Sequence, residues 1–267
     1  MPEGHTLHRL AGEQQRLFAG RTLSVSSPQG RFSAGAEALD GHVLRRAEAF
    51  GKHLFQFYRA APTLHIHLGL YGKFTTGVGE PPPPRGALRL RLVADESWSD
   101  LRGPTACELM DPPSVQALLN RLGPDPLRKD GDPAVAYRKL VRSRVSVAAL
   151  LMDQSVLAGI GNVYRAEILF RHQVDPFRSG QSIDPARWQA MWDDLVVLMR
   201  SGVRTGRIET VRPEHRQRAR GRLARSEAGY VYRRTGLPCR ICGTPIATAE
   251  LVGRNLFWCP TCQAPGS

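Results

Sequence analysis

The first clear period along the chain is helical. Leu7, Leu10, Ala11, Leu17 and Phe18 fall on one helical face and Gly20 follows, which predicts an amphipathic helix over 5–19. Alternation then takes over. Apolar positions alternate in Thr63–Leu68, and Leu88-Arg89-Leu90-Arg91-Leu92 repeats the pattern with arginine expected outward. Strand-like runs near 21–27, 42–48 and 53–58 are separated by Gly, Pro and Ser, and the run Pro81–Pro84 predicts an exposed connection. One long helix followed by short strands predicts a sandwich or barrel with the helix packed on it.

Beyond about residue 110 the helical period returns. Asp111-Pro112-Pro113 caps a helix carrying Val115, Leu118, Leu119 and Leu122, with Gly123 as its stop. Asp132-Pro133 and Asp184-Pro185 repeat the same aspartate cap and first-turn proline. The last of these opens a helix whose Trp188, Met191, Trp192, Leu195, Leu198 and Met199 form a core stripe. Two further helix-like stretches lie near 146–154 and 163–172, and Gly123-Pro124-Asp125-Pro126 is the expected domain boundary.

Composition narrows the class. A chain of 267 residues with 42% hydrophobic and 23% charged positions is not disordered. No apolar run reaches the roughly 18 residues of a membrane span. The opening MPEGHTLHRL offers no apolar stretch for a secretory signal, so a cytoplasmic protein is expected, with no membrane partner. The net charge is +13, and only Lys52, Lys73, Lys129 and Lys139 among the 37 cations are lysines. Base composition accounts for most of that bias. Lysine can nonetheless give up a proton where arginine cannot, so a retained lysine is a candidate for proton transfer. Residues 200–234 hold eleven arginines against Glu209, Glu214 and Glu227. A solvated loop is the bland account of such a run. A phosphate backbone fits the clustering better, with an anionic membrane surface well behind.

The strongest chemical signal is Cys239-x2-Cys242, sixteen residues, then Cys259-x2-Cys262. Two such knuckles place four thiolates around one structural Zn2+ with a β-hairpin spanning the gap, and no position is left for water. A redox Cys-x-x-Cys would not need the second pair, and Cys107 is expected as a buried thiol. Leu157-Ala158-Gly159-Ile160-Gly161-Asn162 lies between two helix-like stretches. It can aim backbone N–H groups and Asn162 at an anion, although a plain tight turn has the same sequence. Pro2, once Met1 is removed, offers a secondary amine that attacks an aldehyde to give a permanently cationic iminium, and Glu3 beside it is a candidate acid or base. The following helix points its positive end at both. Gly51-Lys52-His53 is a natural hairpin tip. His65 and His67 share a strand face, but no third ligand has metal spacing, so they are expected to be polar or packed residues.

Together these residues resemble the formamidopyrimidine-DNA glycosylase and endonuclease VIII family over essentially the whole chain. Pro2-Glu3-Gly4 matches the family's catalytic terminus, and Lys52 matches its hairpin lysine. Leu150 through Asn162 looks like its helix–two-turn–helix clamp, and Gly253 through Gln263 like its zinc-finger hairpin. Leu70-Tyr71 leans to the endonuclease VIII branch. Thr6 stands where a second glutamate is usual, and Gly69 where that branch carries glutamine. The resemblance implies an α+β multidomain chain with three parts. A catalytic β-sandwich with a long helix spans 1–122, a helix–two-turn–helix domain 123–234, and a zinc-finger hairpin 235–267. It implies a bifunctional DNA glycosylase and abasic-site lyase acting by β- and δ-elimination, on oxidised pyrimidines first, with oxidised purines or a non-catalytic binder of damaged DNA as alternatives. Pro2, Glu3, Lys52 and Arg254 would be catalytic. Leu70, Tyr71, Arg121, Asn162 and Arg254 would hold DNA, and Cys239, Cys242, Cys259 and Cys262 would hold zinc. The expected partner is a damaged duplex, or single-stranded DNA, bound by a monomer associated with the nucleoid.

Overall fold

Glu3 is extended and Gly4 begins the first helix. The computed structural model describes residues 2–216, 221 and 223–265. Contacts divide the chain into two compact units, 1–121 and 122–267.

In the first unit, α1 (Gly4–Phe18) buries Leu7, Ala11 and Phe18. It is followed by β1 (Ser24–Ser26), α2 (Ser33–Glu37), β2 (Leu44–Phe50), β3 (His53–Tyr58), β4 (Thr63–His67), β5 (Lys73–Val78), β6 (Leu88–Ala94), β7 (Ser97–Arg102), β8 (Ala106–Met110) and α3 (Pro112–Asn120). The strands form two four-stranded antiparallel sheets, β1-β6-β7-β5 and β2-β3-β4-β8. Leu54, Leu64 and Ile66 of one sheet share a core with Leu90, Leu92 and Leu101 of the other and with α1. This is the expected sandwich. Alternation gives β3 a second buried face, where Phe55 packs on Val115 and Leu118 of α3.

One detail differs from the sequence pattern. Arg91 is buried, not outward, because its cross-strand partner is Asp100 and the two form paired bonds of 2.7 and 2.9 Å. A third bond, from Arg91 to the Pro82 carbonyl (2.7 Å), ties the proline run to the sheet. A buried guanidinium is tolerable only with its donors matched in this way. Alternation also missed β5, β7 and β8. β5 has little apolar content and is held by its ladder to β7.

The second unit contains α4 (Pro133–Leu140), α5 (Val147–Leu150), α6 (Asn162–Arg171), α7 (Pro185–Thr205), β9 (Ala247–Leu251) and β10 (Arg254–Trp258). The side chains of Asp132 and Asp184 cap their helices at the Ala134 and Arg187 amides, as their sequences predict. Trp188, Met191, Trp192, Leu195 and Met199 of α7 meet Val147, Leu157, Tyr164 and Ile168 in one core. That core also takes in Leu256 of β10, and Phe257 enters a second core with Phe170 and Tyr230. The cysteine-bearing hairpin is therefore packed into the helical unit. No helix among the described residues is long and apolar enough to cross a membrane.

Candidate functional site

At the start of α1, Glu3 is fully buried and Pro2 half-buried. Glu3 occupies the N-cap position through its backbone, its carbonyl accepting from Thr6 N–H at 2.8 Å, while its carboxylate makes no cap bond. The carboxylate thus sits at the positive end of a helix. His5 in the first turn is held down to about 4, chiefly by burial, and is neutral at physiological pH.

Gly51 and Lys52 form the tip between β2 and β3, since Phe50 pairs with His53. Gly51 supplies the positive φ (57°) that the tight turn requires. His53, next in the chain, is held down to about 3 by burial first, then by His65, His67, Arg121 and Lys52. The positive charges of Lys52 and of Arg121, the C-cap of α3, both disfavour a charged His53.

Leu70 and Tyr71 stand on the turn after β4, 47% and 85% exposed. Large apolar side chains held out of the core are available for a partner. Gly69, with φ of 65°, has a local cause: a side chain there would meet the Thr105 hydroxyl at 1.8 Å. Gly72 closes the turn by donating to the Leu68 carbonyl at 2.9 Å.

In the second unit, Gln154 organises the turns between α5 and α6. Its amide donates to the Met152 and Ile160 carbonyls (3.0 and 2.9 Å), and its side-chain oxygen accepts from Gly159 N–H at 3.0 Å. This presents Asn162 as the first residue of α6. Asn162 donates to the carbonyl of Asn255, the residue after Arg254 in β10, at 2.9 Å. Sequence reasoning missed the residue behind them. Arg165 is fully buried, bonded to the Asn162 side-chain oxygen and to the Asn255 carbonyl (3.2 Å). A charge in the middle of an apolar helical face was the available signal.

The arginine run also has an internal role. Arg207, Arg216 and Arg234 donate to the carbonyls of Leu223, Val211 and Pro238, so these three brace the backbone. Arg218, Arg220 and Arg222 of that run lie outside the described residues.

The four cysteines bring their sulfurs within 4.8 Å of one another, the group among the described residues able to surround a metal. Backbone N–H groups of Ile241 and Cys262 point at the sulfurs of Cys239 and Cys259 (3.5 and 3.4 Å), as thiolate ligands require. The donor set is that of a closed, structural zinc site. Cys107 is buried elsewhere, its thiol pushed up to about 12 chiefly by burial.

Three family models match the chain. Residues 1–107 match the formamidopyrimidine-DNA glycosylase N-terminal domain, 122–213 its H2TH domain, and 236–265 the zinc finger found in FPG and IleRS. The chain is 55% identical to Endonuclease 8 1 of Mycobacterium tuberculosis (strain ATCC 25618 / H37Rv), over 98% of this chain and 100% of that one. It is 29% identical to Endonuclease 8 of Escherichia coli (strain K12 / DH10B), again over 98% and 100%. Among solved structures, MutM in complex with DNA containing carbocyclic 8-oxo-G superposes with a TM-score of 0.81 at 21% identity, covering 98% of this chain and 100% of that one. Lactococcus lactis Fpg bound to abasic-site DNA gives 0.80 at 21%, covering 98% and 99%.

Proposed function

Because the chain belongs to the formamidopyrimidine-DNA glycosylase and endonuclease VIII family, we propose that Pro2 is the nucleophile of its chemistry. The protein is a DNA glycosylase with abasic-site lyase activity, acting in base excision repair, and the four cysteines hold one structural Zn2+. The observation that carries the proposal is the start of α1, where Pro2, a secondary amine once Met1 is removed, adjoins the fully buried carboxylate of Glu3.

After Met1 is removed, the Pro2 nitrogen attacks C1′ of a nucleotide flipped from the stack, and the C1′–base bond breaks with its electron pair leaving on the base. Glu3 assists sugar opening and base departure by proton transfer. The resulting iminium draws electrons from the C2′–H bond as the proton is lost, expelling the 3′ phosphate. A second elimination expels the 5′ phosphate, and water releases Pro2. Lys52 serves proton transfer and binds phosphate. Arg121, Asn162 and Arg254 hold the backbone, and Arg254, always charged, steadies the departing phosphate.

Leu70 and Tyr71 enter the gap left by the flipped nucleotide, and their exposure on a glycine-flanked turn supports this role. The Leu-Tyr pair favours oxidised pyrimidines in a damaged duplex, and the protein acts as a monomer in the cytoplasm at the nucleoid. Borohydride trapping on an abasic duplex tests the nucleophile. A DNA-linked peptide beginning at Pro2 is expected, and an uncleaved N-terminal tag should abolish it. An adduct on a lysine would overturn the assignment.

A further inference from the structure

The turn that carries Leu70 and Tyr71 does not stand alone. β4 and β8 pair as far as His67 and Ala106, and the Thr105 N–H donates to the His67 carbonyl at 2.9 Å, one step past the end of β8. Residues 68–72 then lead from β4 to β5, and residues 103–105 join β7 to β8. These two turns touch at both ends. A Cβ at Gly69 would overlap the Thr105 hydroxyl, and a Cβ at Gly103 would lie 3.6 Å from the Tyr71 carbonyl oxygen. Pro104 between them is buried, and Gly103 supplies a positive φ of 58°. Thr105 is exposed, as are Leu70 and Tyr71, so three side chains leave the fold from adjoining turns.

Residue 69 has no room for a side chain of its own, and rotation about the Thr105 side chain does not make any. The Thr105 Cβ, which the backbone fixes, is itself only 3.0 Å from where a Gly69 Cβ would stand, closer than ordinary van der Waals contact. The Thr105 hydroxyl thus fills the volume in which a side chain at 69 would begin. It makes no hydrogen bond among the described residues. Water serves such a group on a free surface, but a hydroxyl carried into a stacked duplex needs a new partner. Being donor and acceptor at once, it suits the edge of any base.

We propose that Thr105 is a specificity-determining residue: its hydroxyl enters the duplex with Leu70 and Tyr71 and hydrogen-bonds the base left unpaired opposite the flipped nucleotide. This rests on the assignment of Leu70 and Tyr71 to the gap. The wedge is then built from two turns, with two large side chains from one and a hydroxyl from the other. Because that hydroxyl answers either a donor or an acceptor, the protein accepts any base opposite the lesion instead of selecting one.

Binding to DNA with a tetrahydrofuran abasic analogue tests this without depending on the lesion. Fluorescence anisotropy compares the analogue opposite each of the four bases, opposite a second tetrahydrofuran, and in a single strand. Wild-type affinities for the four bases should agree within about threefold, less than one well-placed hydrogen bond is worth. A preference for one base above about tenfold overturns the proposal. Thr105→Val keeps the branched shape and removes the hydroxyl, so affinity should fall about fivefold wherever a base stands opposite. It should not change opposite tetrahydrofuran or in the single strand, and Thr105→Ser should restore it. An effect of Thr105→Val that is absent, or equal with and without an opposite base, overturns the proposal, because mere exclusion of a side chain at 69 is served equally by valine. Gly69→Gln tests the shared volume. Its backbone strain is the same in both backgrounds, so it should weaken duplex binding about tenfold alone and clearly less beside Thr105→Gly, and equal penalties overturn the contact. Tyr71→Ala separates the two readings. Weakened duplex binding in Tyr71→Ala with none in Thr105→Val removes the role of Thr105 alone, whereas Leu70→Ala and Tyr71→Ala that affect duplex and single strand alike remove the wedge itself.

Discussion

The two units hold their functional side chains by opposite means. In the first, the sandwich core is assembled from leucines of two sheets and α1, and Lys52, Leu70 and Tyr71 ride on turns outside it. In the second, the polar groups themselves fasten the structure. Asn162 ties α6 to β10, Arg165 lies buried behind it, and Glu167 is fully enclosed. Apolar burial is non-directional and tolerates a change at a turn, whereas buried polar groups must all be matched. Substitutions in the first unit should therefore separate chemistry from stability, and those in the second should not.

Metal loss is the most severe way to test this contrast. Structural zinc contributes on the order of 10 kcal/mol of apparent binding free energy in small fingers, comparable with the stability of a whole domain. Burial, then the neighbouring sulfurs, push Cys259 and Cys262 upward, a burden a dication relieves. Chelation or Cys259→Ala should release the hairpin, withdraw Leu256 and Phe257 from both cores, and abolish DNA binding. Calorimetry should show the second unit melting at much lower temperature with the first unit little changed. Survival of the second transition after stoichiometric zinc loss would show that packing alone fastens the hairpin.

Glu167 should give the next largest effect. Its carboxylate accepts from the Tyr230, Val231 and Tyr232 amides at 2.7, 2.9 and 2.8 Å and from the Thr210 hydroxyl. Glu167→Ala leaves buried donors unmatched, so a loss of about 3–5 kcal/mol is expected in denaturant titration. A loss below about 1 kcal/mol would mean that the 228–232 segment finds other acceptors, weakening the contrast between the units.

The first unit should behave differently at a residue just as buried. Glu3→Gln keeps the shape and removes the proton chemistry, so base excision should fall by about 100-fold or more. Strand cleavage at a preformed abasic site should stay within about threefold, because iminium formation needs the Pro2 amine, and the melting temperature should hardly move. Equal loss of both activities would show that Glu3 serves Pro2 itself.

How much of this was legible in the sequence follows the same line. The α1 stripe and the aspartate caps of α3, α4 and α7 act within one helix or turn, and the four cysteines form two Cys-x2-Cys knuckles whose residue type alone marks them as partners; the structure has them where the pattern puts them. Arg91, Arg165 and the hydrogen-bonded chain of His53, His65 and Glu108 were not legible. Each depends on a partner 9 to 90 residues away that only strand register or helix packing supplies. β5 was missed for the same reason, since its ladder rather than its composition makes it a strand.

Acid should distinguish the units by the smallest margin. Asp194 of α7 is pushed upward by burial, but bonds from His172 (3.1 Å) and from Arg171 (2.6 and 2.7 Å) outweigh this and hold its pKa at about 2. A carboxylate depressed in the folded state contributes stability that is complete above its unfolded pKa of about 3.9 and is lost as pH falls toward the folded value. The window is therefore about pH 5 to 2. Because the group is partly open to solvent, the contribution is about 1 kcal/mol, below the figure a shift of that size would give in full burial. Asp194→Asn should remove this part of the acid dependence and lower the stability of the second unit by a similar amount at pH 7. The first unit's acid dependence should be unaffected, since Asp194 belongs to the link between α6 and α7. Stability curves of wild type and variant that stay parallel from pH 7 to 2 would show that the Arg171–Asp194–His172 cluster is not what acid breaks.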